Sequence, residues 1–327
     1  MKRGNVRPRI GLALGGGGAR GYAHLGVLKI LLEADIPIDV IAGTSMGAVV
    51  GAVYAAGYGI KEMENMVFQI GWRQMFELAD PSLPSQGLII GNRLEKYFNI
   101  LARGKDFNQL EKALVVVATD VISGEEVRIN SGPVAKALRA STALPGIFYP
   151  VKAGSHLLVD GSISTPVPLA AVQEAGSDVV VAVDVCSQVD RADILIRARK
   201  WCEEIASKKG RQMAWMGNLR RWLNSSMPAS IKIIDRSLKL NEQHVGILKQ
   251  EKILSKNYIL LKPAVEKIRW YEFHKAEECI RAGEAVGRQA VEQIKTLVAT
   301  EGFSIPTSDK SPCFLDKTDG AFGVKKF

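Results

Sequence analysis

The sequence predicts an α/β fold: a mainly parallel central sheet with helices on both faces, three layers in all (α/β/α). Three observations lead there. Short apolar, β-branched runs alternate with amphipathic stretches along most of the chain, the pattern of successive strand–helix units. A glycine-rich turn joins the first such run to the first helical stretch. With 327 residues and 47% hydrophobic content, the chain is large enough to bury one sizeable core.

Taken in order, Arg9–Leu14 (RIGLAL) reads as a buried strand that runs into GGGGARG, Gly15 to Gly21. An apolar-periodic helix follows from about Tyr22 to Glu33. Asp39–Ala42 is a second strand, ending in GTSMG and a helix of small residues, MGAVVGAVYAAGY. Further strands are expected at Leu114–Asp120, His156–Asp160, Asp178–Asp184 and Asn257–Leu261. Residues 1–300 read as one domain with a basic, tryptophan-containing helical insert at about 190–236. The tail, 301–327, lacks periodicity and is expected to be a mobile extension.

GTSMG, Gly43 to Gly47, makes Ser45 the most informative residue. A serine at a tight strand-to-helix turn takes a strained backbone angle. Its neighbours two positions either side must be nearly free of side chain, as Gly43 and Gly47 are. The turn holds the hydroxyl above the sheet at a helix N-terminus, where N–H groups and the helix dipole favour developing negative charge. The upstream glycine loop also binds an anion through successive N–H groups, either a pyrophosphate or the oxyanion of an acyl-transfer intermediate. Gly16, Gly18 and Gly21 satisfy the dinucleotide pattern GxGxxG. That fold wants an acidic residue at the end of the second strand. Here the GTSMG turn takes that position, and Asp35 and Asp39 both precede it. The oxyanion reading is favoured.

A serine nucleophile needs a base. His24 lies on the first helix and reads as a packed helix residue, and His156 opens the strand HLLVD. His244 and His274 fall in a polar C-terminal region without a strand-end loop to hold them. None has the setting of a Ser-His-Asp triad. Asp120, Asp160 and Asp184 each end an apolar run, and in a parallel sheet such ends line the edge where open α/β folds place their sites. Asp160 is favoured, because Gly161 and Ser162 follow it and allow a sharp turn.

GGGGARG, GTSMG and DGS, in that order, resemble the three signature elements of the patatin-like phospholipase family. The likeness is strongest to its bacterial neuropathy-target-esterase-like (NTE) members. RASTALPGIFYPV (Arg139 to Val151), DVVVAVDV and YILLKPAVEKIRWYEFHKAEECIRAGEAV also resemble that family, so the likeness runs from about Ile10 to Leu297. It implies a patatin-like fold and a Ser-Asp dyad, with Ser45 as nucleophile and Asp160 as base. It also implies an oxyanion hole from the backbone N–H groups of Gly16, Gly17 and Gly18, with Arg20, Gly21, Gly43, Gly47, Gly161 and Ser162 supporting the motifs. The activity implied is that of a serine acyl hydrolase on phospholipid, lysophospholipid or another fatty-acyl ester, with no cofactor. A lipid acyltransferase or thioesterase would share the nucleophile, and a lipid-binding regulator of low turnover would keep the motifs. The chain departs from the family at Ser162, where Gly or Ala is usual; its hydroxyl is expected to hydrogen-bond Asp160 and alter its basicity. Arg20 has two readings, attraction of a phosphate head group or bracing of the loop, and bracing is favoured.

The net charge of +9 is concentrated between Arg191 and Arg236, where Trp201, Trp215 and Trp222 are interleaved with Lys208, Lys209, Arg211, Arg220 and Arg221. A basic amphipathic helix of this kind suits peripheral contact with an anionic membrane through residues 200–223, or packing within the domain or in a homo-oligomer. No nucleic-acid-binding module accompanies the charge. Cys186, Cys202, Cys279 and Cys313 are scattered without C-x-x-C spacing, which reads as reduced thiols in a cytoplasmic protein and no metal. The basic N-terminus precedes an apolar run that the glycine loop and Arg20 interrupt, unlike a secretory signal. No run is long enough to span a bilayer.

Overall fold

The computed structural model describes residues 7–69, 89–145, 147–185, 257–299 and 324–325. The basic insert at 190–236, His244, Cys186, Cys202, Cys313 and most of the 301–327 tail lie outside the described residues. Among the described residues one sheet holds nine strands: β1 (Ile10–Leu14), β2 (Val40–Thr44), β3 (Ala113–Asp120), β4 (Glu126–Ile129), β5 (Val151–Ala153), β6 (His156–Asp160), β7 (Val179–Val183), β8 (Tyr258–Leu261) and β9 (Val324–Lys325). Every expected strand is present within two residues of its anticipated bounds.

The centre of the sheet is parallel: β1 pairs with β2 and β7, β2 with β3, and β7 with β8. Strands β1, β2 and β7 are buried at every residue, hence their unbroken apolar composition. Alternating side chains serve two cores. Leu12, Leu14, Ile41, Val116 and Val181 pack into one. Its helices are α1 (Ala23–Glu33), α2 (Met46–Ala55), α3 (Ile60–Gln69), α4 (Asn92–Leu101), α5 (Val134–Ser141) and α7 (Ala276–Ala299). Ala13, Val40, Ala42, Val115 and Val180 face the other, against Ala171 and Val172 of α6 (Leu169–Glu174). The three expected layers follow from that division.

The β3 edge departs from the expected parallel order. Strands β4 and β6 both pair antiparallel with β3, β5 pairs antiparallel with β6, and β9 with β4. HLLVD is therefore an antiparallel strand, and Asp160 does not end a parallel one. The pairing register shows how it fits. Val117 is flanked by Thr44 of β2 and Arg128 of β4, whereas the next residue, Ala118, is flanked by Asp160 of β6 and Val127 of β4. Because β4 keeps one edge of β3 throughout, β6 takes over the edge that β2 leaves. The ends of β2 and β6 meet there.

On the first face, α7 lies with its backbone against α1. A Cβ on Gly26 would come within 2.0 Å of the Ile280 carbonyl oxygen, and one on Gly283 within 1.9 Å of that of Ala23. The segment leading into α7 braces the glycine loop, since the Trp270 carbonyl accepts the Ala19 N–H at 2.7 Å. The two described residues of the tail form β9.

Candidate active site

Ser45 stands between β2 and α2 with φ 52° and ψ −122°, a conformation that costs a residue with a β-carbon roughly 1–3 kcal/mol. Close packing enforces it. A Cβ on Gly43 would lie 2.4 Å from the Ala48 Cα, and one on Gly47 2.2 Å from the Leu14 carbonyl oxygen. Both glycines are required by backbone approach, as the motif predicts.

The Ser45 hydroxyl donates to Asp160 Oδ2 at 2.7 Å. Asp160 Oδ1 accepts the Ser162 N–H at 2.9 Å, and the Thr119 hydroxyl donates to the Asp160 carbonyl at 3.0 Å. The carboxyl is buried, and burial raises its pKa against the opposing hydrogen bonds from the Ser162 N–H and the Ser45 and Ser162 hydroxyls. The 2.9 Å hydrogen bond from Ser162 to Asp160 is made by its backbone N–H. Ser162 also touches the glycine loop: a Cβ on Gly16 would fall 2.1 Å from Ser162 Oγ and 3.3 Å from Ser45 Cβ. Gly161 lets β6 turn beside β3, because a Cβ there would meet the Val117 carbonyl oxygen at 2.3 Å.

The glycine loop differs from expectation in one donor. The Gly16 N–H is engaged by the Pro166 carbonyl at 2.9 Å, just as that of Gly15 is by Val183 at 3.0 Å. The loop must stay tied to the sheet until it turns, and Gly16 is the last tie. The N–H groups of Gly17 and Gly18 have no acceptor among the described residues. His24 holds the same loop from below: its Nε2–H donates to the Gly15 carbonyl at 2.7 Å. Complete burial pushes the His24 pKa down to about 4, so the ring is neutral and structural.

One residue of the site escaped the sequence reading. Ser141, at the end of α5, accepts the Ser45 N–H at 2.8 Å and donates to the Val117 carbonyl at 2.6 Å. Its only sequence signal is its place within RASTALPGIFYPV.

Comparison with known proteins supports the pattern of motifs. Residues 12–172 match the family described as Patatin-like phospholipase, a span that takes in the glycine loop, GTSMG and DGS. An NTE family protein of Mycobacterium tuberculosis is 39% identical over 181 residues, 55% of this chain and 50% of that protein. The lysophospholipase NTE1 of Kluyveromyces lactis is 28% identical over 294 residues, 88% of this chain and 19% of that protein. The chain thus spans half or less of the length of these relatives. Among solved structures, VipD from Legionella pneumophila aligns with a TM-score of 0.44 and 15% identity, covering 88% of this chain and 67% of that one.

The remaining candidates lie around or away from the Ser45–Asp160 pair. Arg20 is buried, and its Nε donates to the Ile268 carbonyl, which links the glycine loop to the segment before α7. Gly21 gives Met46 room, since a Cβ there would meet Met46 Cγ at 2.4 Å. Asp120 accepts from His156 Nδ1 at 2.9 Å and from the N–H groups of Ile122 and Leu157 at 3.1 and 3.3 Å. Burial opposes its ionisation, but these bonds outweigh burial and lower its pKa. The Asp120–His156 pair therefore fastens the start of β6 to the end of β3. Asp184 follows β7, on the far side of β1 from β2, and His274 is exposed. Cys279 is buried, and its thiol is pushed up to about 12 by burial, which leaves it inert. Among the described residues no cluster of side chains has metal-ligating geometry, and no helix is long and apolar enough to cross a membrane.

Proposed function

We propose that this protein hydrolyses carboxyl esters of lipids through a Ser45–Asp160 dyad. The observation that carries the reading is the 2.7 Å hydrogen bond from a strained serine to a buried carboxylate. Ser45 Oγ attacks the acyl carbon while its proton passes to Asp160 Oδ2. The N–H groups of Gly17 and Gly18 hold the tetrahedral oxyanion, and Gly16 shapes the loop instead of donating. Removing one such donor costs roughly 3–4 kcal/mol in enzymes where it has been measured. Collapse breaks the ester bond, and the departing alkoxide takes the proton from Asp160, leaving an acyl ester on Ser45. Water then gives a proton to Asp160, attacks that ester and releases the fatty acid, and the proton returns to Ser45. A carboxylate whose pKa burial has raised is the better base for both steps.

The family description and the relative named a lysophospholipase support phospholipid or lysophospholipid as the substrate class. The basic, tryptophan-bearing residues 200–223 support peripheral contact with an anionic lipid surface on the cytoplasmic side. Co-sedimentation with vesicles, with and without anionic lipid, tests that contact; failure to bind at low salt would rule it out. A fluorophosphonate probe tests the dyad itself. Labelling of the wild-type chain, lost in Ser45→Ala together with release of fatty acid from lysophospholipid, is the expected result. Undiminished labelling of Ser45→Ala would end the assignment.

A further inference from the structure

We infer that Ser141 is the positioning residue of the nucleophile, a role that rests on the Ser45–Asp160 reading above. Its side chain is fully buried at the end of α5. A hydroxyl has one proton to donate and two lone pairs to accept with. The Val117 carbonyl can only accept, so the Ser141 proton points to it at 2.6 Å and a lone pair faces the Ser45 N–H at 2.8 Å. Both directions are therefore determined.

The location gives this bridge its importance. Thr44 opposite Val117 is the last pair between β2 and β3, and the next residue of β3, Ala118, pairs with Asp160. Ser141 joins β2 to β3 at the step where β3 exchanges one partner strand for the other. It is also the assigned acceptor of the Ser45 N–H, on a residue held at φ 52°. Without it that N–H is left without its partner. The nearest relief is a change in the Ser45 φ, and turning about its N–Cα bond swings Cβ and Oγ away from Asp160. Ser141 touches neither substrate nor the reacting atoms; it acts through the backbone of Ser45.

The full chain tests this with Ser45→Ala, Ser141→Ala, Ser141→Thr and Ser141→Cys. Ser141→Ala is expected to stay folded and to lose kcat on the order of 100-fold with little change in KM, as misplacing a reacting atom by an ångström does. The rate of fluorophosphonate labelling should fall in parallel. Ser141→Thr, which keeps the hydroxyl, should recover most of both. A hydroxyl that merely fills the space beside α5 predicts lower stability with kcat unchanged, and kcat within threefold of wild type in folded Ser141→Ala overturns the inference. If that variant fails to fold, Ser141→Cys decides: its weaker sulfur hydrogen bonds should still lower kcat, and wild-type turnover overturns the role. Absence of labelling in the wild type would refute the dyad instead. The crystal structure of Ser141→Ala then judges Ser141 separately: an unmoved Ser45 φ with Oγ still bonded to Asp160 overturns the role, and a changed φ with Oγ swung away upholds it.

Discussion

Ser45 and Asp160 are 115 residues apart in sequence and share a 2.7 Å hydrogen bond because β2 and β6 approach each other along one edge of β3. Thr44 and Asp160 oppose consecutive residues of that strand, Val117 and Ala118. The carboxylate thus arrives from beyond the end of the nucleophile's own strand, head-on, where a parallel neighbour would have lain alongside. Four experiments follow from this arrangement.

Ser45→Ala and Ser45→Gly should both lose ester hydrolysis by on the order of 10³-fold or more, since no other group supplies the nucleophile. Their stabilities should differ. Alanine keeps the β-carbon that φ 52° disfavours, whereas glycine removes the strain, a gain of about 1 kcal/mol or more. Urea unfolding measures the gap, and equal midpoints would mean that position 45 stores no strain.

Asp160→Asn should be nearly as inactive as Ser45→Ala while binding substrate. In the wild type the acid limb of kcat/KM should lie above the usual aspartate value of about 3.9, because burial raises the Asp160 pKa. The sign for stability is the reverse of an ion-paired carboxylate. A group whose folded pKa is raised stabilises the fold below its unfolded pKa and loses that contribution as pH rises through the folded value. Asp160→Asn should therefore gain on the wild type as pH rises from 4 to 8, measured by denaturant unfolding at each pH. A constant difference across that range would contradict the raised pKa.

Asp120→Asn should keep hydrolysis within a fewfold of wild type, since Asp120 bonds to His156 and the backbone rather than to Ser45. Its effect should fall on stability, about 1–3 kcal/mol from buried donors left poorly matched. Because the Asp120 pKa is lowered, its contribution is complete above about pH 4 and lost as pH falls through the folded value. The stability gap to wild type should shrink in acid. Loss of activity in a fully folded Asp120→Asn would move the base from Asp160 to the Asp120–His156 pair.

Gly47→Ala should cost about 3 kcal/mol or more, because its Cβ would sit 2.2 Å from the backbone oxygen of Leu14, and backbone on both sides leaves nothing to give way. Gly59→Ala is the control: among the described residues a Cβ there would meet Glu62 Oε2 alone, at an ordinary 3.5 Å, and the change should stay within about 0.5 kcal/mol. Thermal unfolding of the two variants separates an enforced elbow from a general intolerance of substitution.

The amino-acid order alone determined what depends on neighbours in sequence. The strands β1, β2 and β7 were legible because full burial demands unbroken apolar runs, and the Ser45 turn because Gly43 and Gly47 answer a steric demand two residues away. For the partner of Ser45 the residues favoured Asp160 over Asp120 and Asp184, and the resemblance of motifs named it as the base. Strand direction and register were decided by tertiary structure, since they depend on which distant segment fills the edge of β3. That is why the antiparallel course of β6 and the short strands β4, β5 and β9 were not foreseen. The same reason hid the two polar details of the site. A glycine N–H or a serine hydroxyl carries no pattern saying whether it will face a substrate or a carbonyl, and only folding tied Gly16 to Pro166 and Ser141 to Ser45 and Val117.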